Sequence, residues 1–212
     1  MALYQPAHFS VADAAQRDAA AFELIAAHPF ATLVTPAAPE PVVTHCPITA
    51  QVHDGARVLE GHVARANRNW HAWRDGSTGV LAVFHGPNAY VSPSLYTGVQ
   101  NVPTWNYAVV HVLGRVALID DEHDKHALLK RLIAKVEPGY SAQWDGLDEE
   151  YKRRMLGAIV GFRVQIERID AKFKLGQNRI PADRDKVRAA FAAGSPDERA
   201  LAGWTERLGP GR

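Results

Sequence analysis

The chain has 212 residues, 47% hydrophobic and 22% charged, enough to bury a sizeable core as one large or two small lobes. Its 24 Lys and Arg against 23 Asp and Glu leave a net charge near +1, which excludes a global pull toward nucleic acid or anionic lipid; any DNA role needs a local basic patch. The lone Cys46 excludes an intrachain disulfide and any CxxC metal site and reads as a core residue of a protein in a reducing compartment.

The opening MALYQPAHF lacks a basic stretch followed by an apolar run, so no secretory signal is expected, and no apolar run approaches the ~20 residues that span a bilayer. The expectation is a cytoplasmic protein without a membrane partner. Ser10 with Asp13 reads as a capping box opening a helix over 11–27, with Phe22 and Ile25 at helical spacing and Pro29 as its stop. FATLVTP and VVTHCPI then form a hairpin-like pair of strands across AAPEP. RVLEGHV and GVLAVFHG are further strands, separated by a short helix, ANRNWHAWRD, that Gly76 ends.

AYVSP and a run over 106–119 add two strands, the second broken at Gly114 by a bulge or sharp bend. Residues 120–136 turn helical, EEYKRRMLGAIV gives another helix, and FRVQI resumes alternation with Phe162, Val164 and Ile166 on one face. Two helices close the chain, one over about 183–193 and one opened by Ser195-Pro196-Asp197-Glu198. Short strands in meander order, interrupted by single helices, predict a mainly β fold with helices (α+β), an antiparallel barrel with helices on its rim. The expected organisation is a single domain over 1–212 with a helical extension from about 183. There is no GxGxxG and no GxxxxGK[ST], so neither nucleotide fingerprint is present.

LEGHVARANRNW is the most informative stretch. A strand ends at about Val63 and a helix begins a few residues later, so the turn through His62, Val63, Ala64, Arg65 and Asn67 reads as a phosphate cradle, with Arg65 supplying charge and fork geometry. The same residues suit a surface turn in which Arg65 is solvated and Asn67 caps the helix. In FHGPNAYVSP, two strands meet at Gly86-Pro87-Asn88, and Tyr90 and Ser92 share one face at period 2, toward a ligand or toward water. In VPTWNYAVVHV, Thr104, Trp105 and Asn106 place a hydroxyl and an amide beside an indole, a set that can read the edge of a heterocycle and cover its face. In FKLGQNR, Lys174, Gln177, Asn178 and Arg179 can donate to a carbonyl or phosphate, or form a solvated basic strand end. His123 and His126, three apart among acidic neighbours, read as a solvated helix start, and His62, His71, His85 and His111 show no close ligand spacing, so no metal site is expected. No nucleophile elbow accompanies any Ser, Cys or Thr, and no catalytic residue is assigned.

Taken in order, Tyr4-Gln5-Pro6 and Phe9, PFATLVT, GHVARAN, FHGPNAYVSP, VPTWNYAVVHV and FKLGQNR resemble the PaiB family of FMN-binding transcriptional regulators over nearly the whole chain, weakening after about Arg184. The resemblance implies a flavin-binding split β-barrel related to pyridoxamine-phosphate oxidase, usually a homodimer with FMN in clefts formed by both protomers. It implies a phosphate at Arg65 and the turn before Asn67, a ribityl chain near Ser92, and the isoalloxazine at Thr104 to Asn106. Lys174, Gln177 and Arg179 match the family's C-terminal KLSQNR-like motif. Gly176 departs from that motif, which usually has Ser, and a lost hydroxyl there removes one hydrogen bond, about 0.5 to 1.5 kcal/mol net.

The functional expectation is an FMN-binding, PaiB-like homodimer acting as a negative transcriptional regulator, directly or through a partner. DNA as partner follows from the resemblance alone: no helix-turn-helix is evident, and Arg179, Arg184, Lys186 and Arg188 make only a modest basic cluster. The alternative is an FMN-dependent flavin reductase or oxidase acting on a small heterocycle or a nicotinamide. A third is a binding module for another planar ligand such as haem, with His62 or His111 as ligand.

Overall fold

The computed structural model describes Leu3, Tyr4, Pro6, Phe9, Val11 and residues 13–37 and 39–209. Helix α1 (Ala14–Ala27) starts later than expected, because Asp13 is its N-cap: the carboxylate accepts from the Gln16 N–H at 2.6 Å, satisfying a donor of the first turn. The expected cap, Ser10, lies outside the described residues.

Six strands follow: β1 (Phe30–Thr35), β2 (Val42–His53), β3 (Ala56–Ala64), β4 (Gly79–Val91), β5 (Thr104–Ile119) and β6 (Ile159–Lys174). They close into an antiparallel barrel in the order β1-β2-β3-β6-β5-β4, so the mainly β architecture with helices read from the sequence is the one found. Alternation sends Leu33, Ile48, Leu59, Val110, Phe162 and Val164 inward, all fully buried.

Three expected strand boundaries are corrected. FHGPNAYVSP does not join two strands: β4 runs unbroken through Gly86 and Pro87. A Cβ on Gly86 would lie 2.7 Å from Leu24 Cδ1 and 3.0 Å from the Ala108 carbonyl, so the glycine marks close packing rather than a turn. Strand β5 passes through Gly114 without a break, and a Cβ there would meet the Gln165 carbonyl oxygen at 2.1 Å, so this glycine lets β6 approach. FRVQI is the middle of the sixteen-residue β6, which continues into FKLGQNR as far as Lys174. The helix expected over ANRNWHAWRD is a 3-10 helix, Arg68–Trp73.

The chain divides into two compact units. One comprises Pro29–Val83 and Val112–Arg168. Its core holds Trp73, whose indole N–H donates to the buried Thr35 hydroxyl at 3.1 Å and whose ring centroid lies 5.2 Å from that of Phe162. Here α2 (Glu122–Val136) is fastened to the sheet through Glu60: one carboxylate oxygen accepts from Arg163 of β6 and the other from Arg131 of α2, with shortest contacts of 2.7 Å each. Helices α3 (Ser141–Asp145) and α4 (Glu149–Gly157) belong to the same unit. Cys46 is buried in it, and burial pushes its thiol up to about 12, consistent with an inert core residue.

The other unit comprises Met1–His28, Phe84–His111 and Ile169–Arg212. Its core gathers Leu24, Ile25, Phe84, Phe173 and Leu201, with Phe173 and Trp204 rings 4.9 Å apart. Helix α5 (Pro181–Ala192) is followed by α6 (Pro196–Leu208), which opens with a reciprocal capping box between Ser195 and Glu198. Arg207 of α6 pairs with Glu23 of α1 at 2.8 Å. Among the described residues, no helix is long and apolar enough to cross a membrane.

Candidate functional site

The expected site residues fall in both units. His62, Val63, Ala64, Arg65 and Asn67 belong to the first, at the end of β3 and in the turn that follows. Arg65 is held there through both its backbone and its guanidinium. Its backbone N–H donates to Ala158, Nε donates to the Gly157 carbonyl at 2.8 Å, and Nη2 reaches the Ile159 carbonyl at 3.1 Å and the Asp120 carboxylate at 2.5 Å. The hydrogen bond from Arg65 holds the Asp120 carboxyl below its ordinary range. Three of the five guanidinium N–H donors are thus committed, and the two on Nη1 make no hydrogen bond among the described residues.

Asn67 caps the 3-10 helix by accepting from the Asn69 N–H at 3.0 Å, while its Nδ2 donates to the Thr44 hydroxyl at 2.9 Å. The Asn69 carboxamide donates to the same hydroxyl at 2.6 Å, and its Oδ1 is buried without a partner. His62 Nδ1 is likewise buried and unpartnered, and burial pulls the imidazole below its ordinary pKa. A buried polar atom with no protein partner is normally met by water or a ligand. Thr44, Asn69 and Asp120 escape a reading of the sequence because each meets the turn through the fold; only Asn69 lies within the GHVARANRN stretch itself.

The remaining expected residues belong to the second unit. Lys174, the last residue of β6, donates to the Thr104 hydroxyl at 2.5 Å and to the Trp105 carbonyl, so FKLGQNR and VPTWNY do meet. Burial, together with the charges of Lys172 and Arg179, pulls the Lys174 ammonium below the usual lysine range. Trp105 is 52% exposed and meets Tyr90, 49% exposed, edge to face at 6.2 Å. Asn106 is buried on the opposite face of β5 from Trp105. Ser92 caps a single 3-10 turn, accepting from the Ser94 N–H. Arg179 reaches Asn101 at 2.7 Å and stacks 4.1 Å over Tyr96. Gln177 is spent locally, accepting from the Leu175 N–H and donating to the Phe173 carbonyl. Gly176 has φ +78°, which a serine tolerates poorly, so its departure from the family motif goes with a left-handed turn.

A cleft of about 430 Å³ opens beside Trp105, lined by His85, Gly86, Asn88, Trp105, Tyr107, Ala108 and Val109. That volume is within the range of small-molecule sites. Period-2 alternation puts Trp105, Tyr107 and Val109 on one face of β5, an aromatic wall next to the imidazole of His85 and the carboxamide of Asn88. The Asn88 backbone is anchored by Asp197 at 3.3 Å. His85 and Asn88 lie in the quoted FHGPNAYVSP stretch, but only the unbroken course of β4 shows that they flank Trp105. His111 sits on the same face of β5, its pKa lowered first by burial, then by His85, against the opposing pull of Asp170. Among the described residues no group of three or more His, Cys, Asp or Glu side chains is placed to hold a metal ion.

Taken separately, the cleft suits a planar ring and the turn suits an anion such as a phosphate. The cleft offers a flat aromatic wall with polar edges, and the turn offers an immobilised guanidinium with two free donors beside a buried polar atom that lacks a partner. Residues 3–168 match the family model described as "Putative FMN-binding domain". The chain is 32% identical over 186 residues to "Protease synthase and sporulation protein PAI 2" of Bacillus subtilis, covering 85% of each chain. It is 28% identical over 182 residues to an uncharacterised protein of Emericella nidulans, covering 71% of this chain and 72% of that one. Similar solved structures include the flavocytochrome Anf3 from Azotobacter vinelandii, at TM-score 0.59 and 20% identity, covering 77% of this chain and 68% of that one. An FAD- and haem-binding protein from Mycobacterium smegmatis aligns at TM-score 0.57 and 18% identity, covering 73% and 70%. These two share the fold.

Proposed function

The chain belongs to the PaiB family and carries its FMN-binding domain, and from that membership we propose that it is an FMN-binding regulatory protein that works as a homodimer in the cytoplasm. The observation that carries the flavin reading is the cleft beside Trp105: an exposed indole, braced edge-on by Tyr90, and Tyr107 give a planar ring a surface to lie on, and His85 and Asn88 give its polar rim partners. The free Nη1 donors of Arg65, fixed in direction by Asp120, suit a phosphate and favour FMN over riboflavin. When bound, FMN would supply a ring able to take up and release electrons; the chain's own residues bind, orient and shield it.

Negative regulation of transcription rests on the family resemblance. The homodimer is supported by apolar side chains left in water in the second unit, Val99, Val102, Trp105 and Ile180, each more than half exposed. The buried, unreactive Cys46 suits a reducing cytoplasm.

The test is the absorption spectrum of the freshly purified protein during parallel titration with FMN, riboflavin and haem. FMN should bind with flavin bands near ~370 and ~450 nm and at least about tenfold more tightly than riboflavin, and Arg65→Ala should erase that preference. Trp105→Ala should weaken both flavins about tenfold. A Soret band on haem addition with no flavin binding would overturn the reading. Rapid reduction of bound FMN by NADH or NADPH, with a substrate that reoxidises it faster than oxygen does, would make the protein an oxidoreductase instead.

A further inference from the structure

ARANRNWHAWRD carries a basic residue at every third position: Arg65, Arg68, His71 and Arg74. Residues Arg68–Trp73 form the 3-10 helix, and its C-cap Arg74 keeps helical angles, φ −60° and ψ −34°. With three residues per turn, positions i and i+3 eclipse, so Arg68, His71 and Arg74 stand in one row along the axis. All three are exposed, whereas Asn69 and Trp73 are 1% exposed and hold the helix to the barrel. At ~2 Å rise per residue the row is about 12 Å long.

Its scaffold is fixed. The Trp70 indole N–H donates to the Arg65 carbonyl at 3.0 Å, and the Arg74 guanidinium lies 4.7 Å over the Trp70 ring, with the His71 ring 4.1 Å away. Nearby carboxylates are engaged elsewhere: Asp120 with Arg65 and Lys125, and Asp75 with the Ser77 N–H. The Arg68 side chain makes no hydrogen bond or ion pair among the described residues, so Arg68 and Arg74 are two charges without a carboxylate partner among them, in a chain of net charge near +1.

We propose that this row is a contact surface for the phosphodiester backbone of a nucleic-acid duplex. It deepens the regulator reading and rests on it for its biological use. A row of evenly spaced cations complements the evenly spaced anions of a duplex strand, and a row of about 12 Å is long enough to reach more than one phosphate. A membrane surface fits less well, since an interfacial helix needs an apolar face that enters lipid, and here Trp73 is buried and Trp70 is covered by Arg74 and His71. Guanidinium contacts to phosphate position a protein on a duplex without reading its sequence, so the contact is sequence-independent.

The test uses the full chain loaded with FMN and a fluorescently labelled duplex of about 25 base pairs and arbitrary sequence, followed by anisotropy from about 50 to 200 mM salt. The wild type should bind and weaken with salt. Arg68→Glu combined with Arg74→Glu should lose at least about tenfold at the lowest salt and flatten the log–log salt slope by about 2. Arg68→Lys with Arg74→Lys should keep most of the affinity, and the flavin spectrum should be the same in every variant. Equal binding by the Glu pair, no binding by the wild type, or binding only to vesicles rich in phosphatidylserine would overturn the proposal. Duplex binding that tracks the row in a protein that takes up no flavin would sink the flavin reading and leave the row standing.

Discussion

At the scale of single residues, what decides an outcome is the distance to the nearest backbone atom. Gly114 and Gly139 are chemically identical, yet a Cβ on the first meets the Gln165 carbonyl at 2.1 Å and one on the second meets nothing within 4 Å. Gly114→Ala is expected to force β5 and β6 apart and destabilise the protein by about 3 kcal/mol or more, while Gly139→Ala stays within about 0.5 kcal/mol, both read by chemical denaturation. Trp73→Phe shrinks a fully buried ring and leaves the Thr35 hydroxyl without its donor, an expected loss of about 2 to 4 kcal/mol. At Gly176, a substitution by Ser restores the family's hydroxyl at a φ of +78°, so it should cost about 1 kcal/mol of stability without tightening flavin binding.

At the scale of elements, Glu60 joins β3, β6 and α2. Its side chain is 4% exposed, that of Arg163 21% and that of Arg131 40%, so the two ion pairs differ in solvent screening. Glu60→Ala leaves a cation partly buried and should cost about 3 to 5 kcal/mol. Double-mutant cycles should assign most of the coupling to Arg163 and at most about 1 kcal/mol to the half-exposed Arg131. Much of the element order was legible from apolar periodicity and turn residues, because helix and strand periods are local. The continuity of β4 and β5 was not, since Gly86 and Gly114 look like breaks until the chain they touch, α1 for one and β6 for the other, is in place. The site was legible in the same proportion. Trp105 and Lys174 lie in stretches singled out by composition, whereas the bond from Lys174 to Thr104, the ties of Arg65 to Asp120 and Gly157, and the cleft's His85 and Asn88 are made by residues that pair only across strands.

At the scale of the whole molecule, titration links many sites to one stability curve. Asp120, Asp145, Asp183 and Glu198 all have carboxyls pulled below their ordinary values, by hydrogen bonds from Arg65, Lys130, the Thr97 backbone and the Ser195 backbone respectively. A lowered carboxyl stabilises the fold above its unfolded pKa, and that contribution is lost as pH falls through the folded value. His62 and His111 are also lowered, by burial, so below about 6.5 the unfolded chain takes up protons that the folded chain refuses. Thermal stability should therefore be level from about pH 7 to 8, decline first below about 6.5, and fall again below about 4. Replacing both His62 and His111 by Gln should remove the first decline and leave the second.

The uneven burial of the tryptophans has an optical consequence. Trp73, Trp144 and Trp204 are buried and Trp70 is partly covered, whereas Trp105 stands half in water at the mouth of the cleft. Its emission should be the reddest of the five and the first to be quenched by acrylamide. A flavin ring resting in that cleft would take its excitation energy before the others, so the intrinsic fluorescence can report the filling of the cleft without any added label.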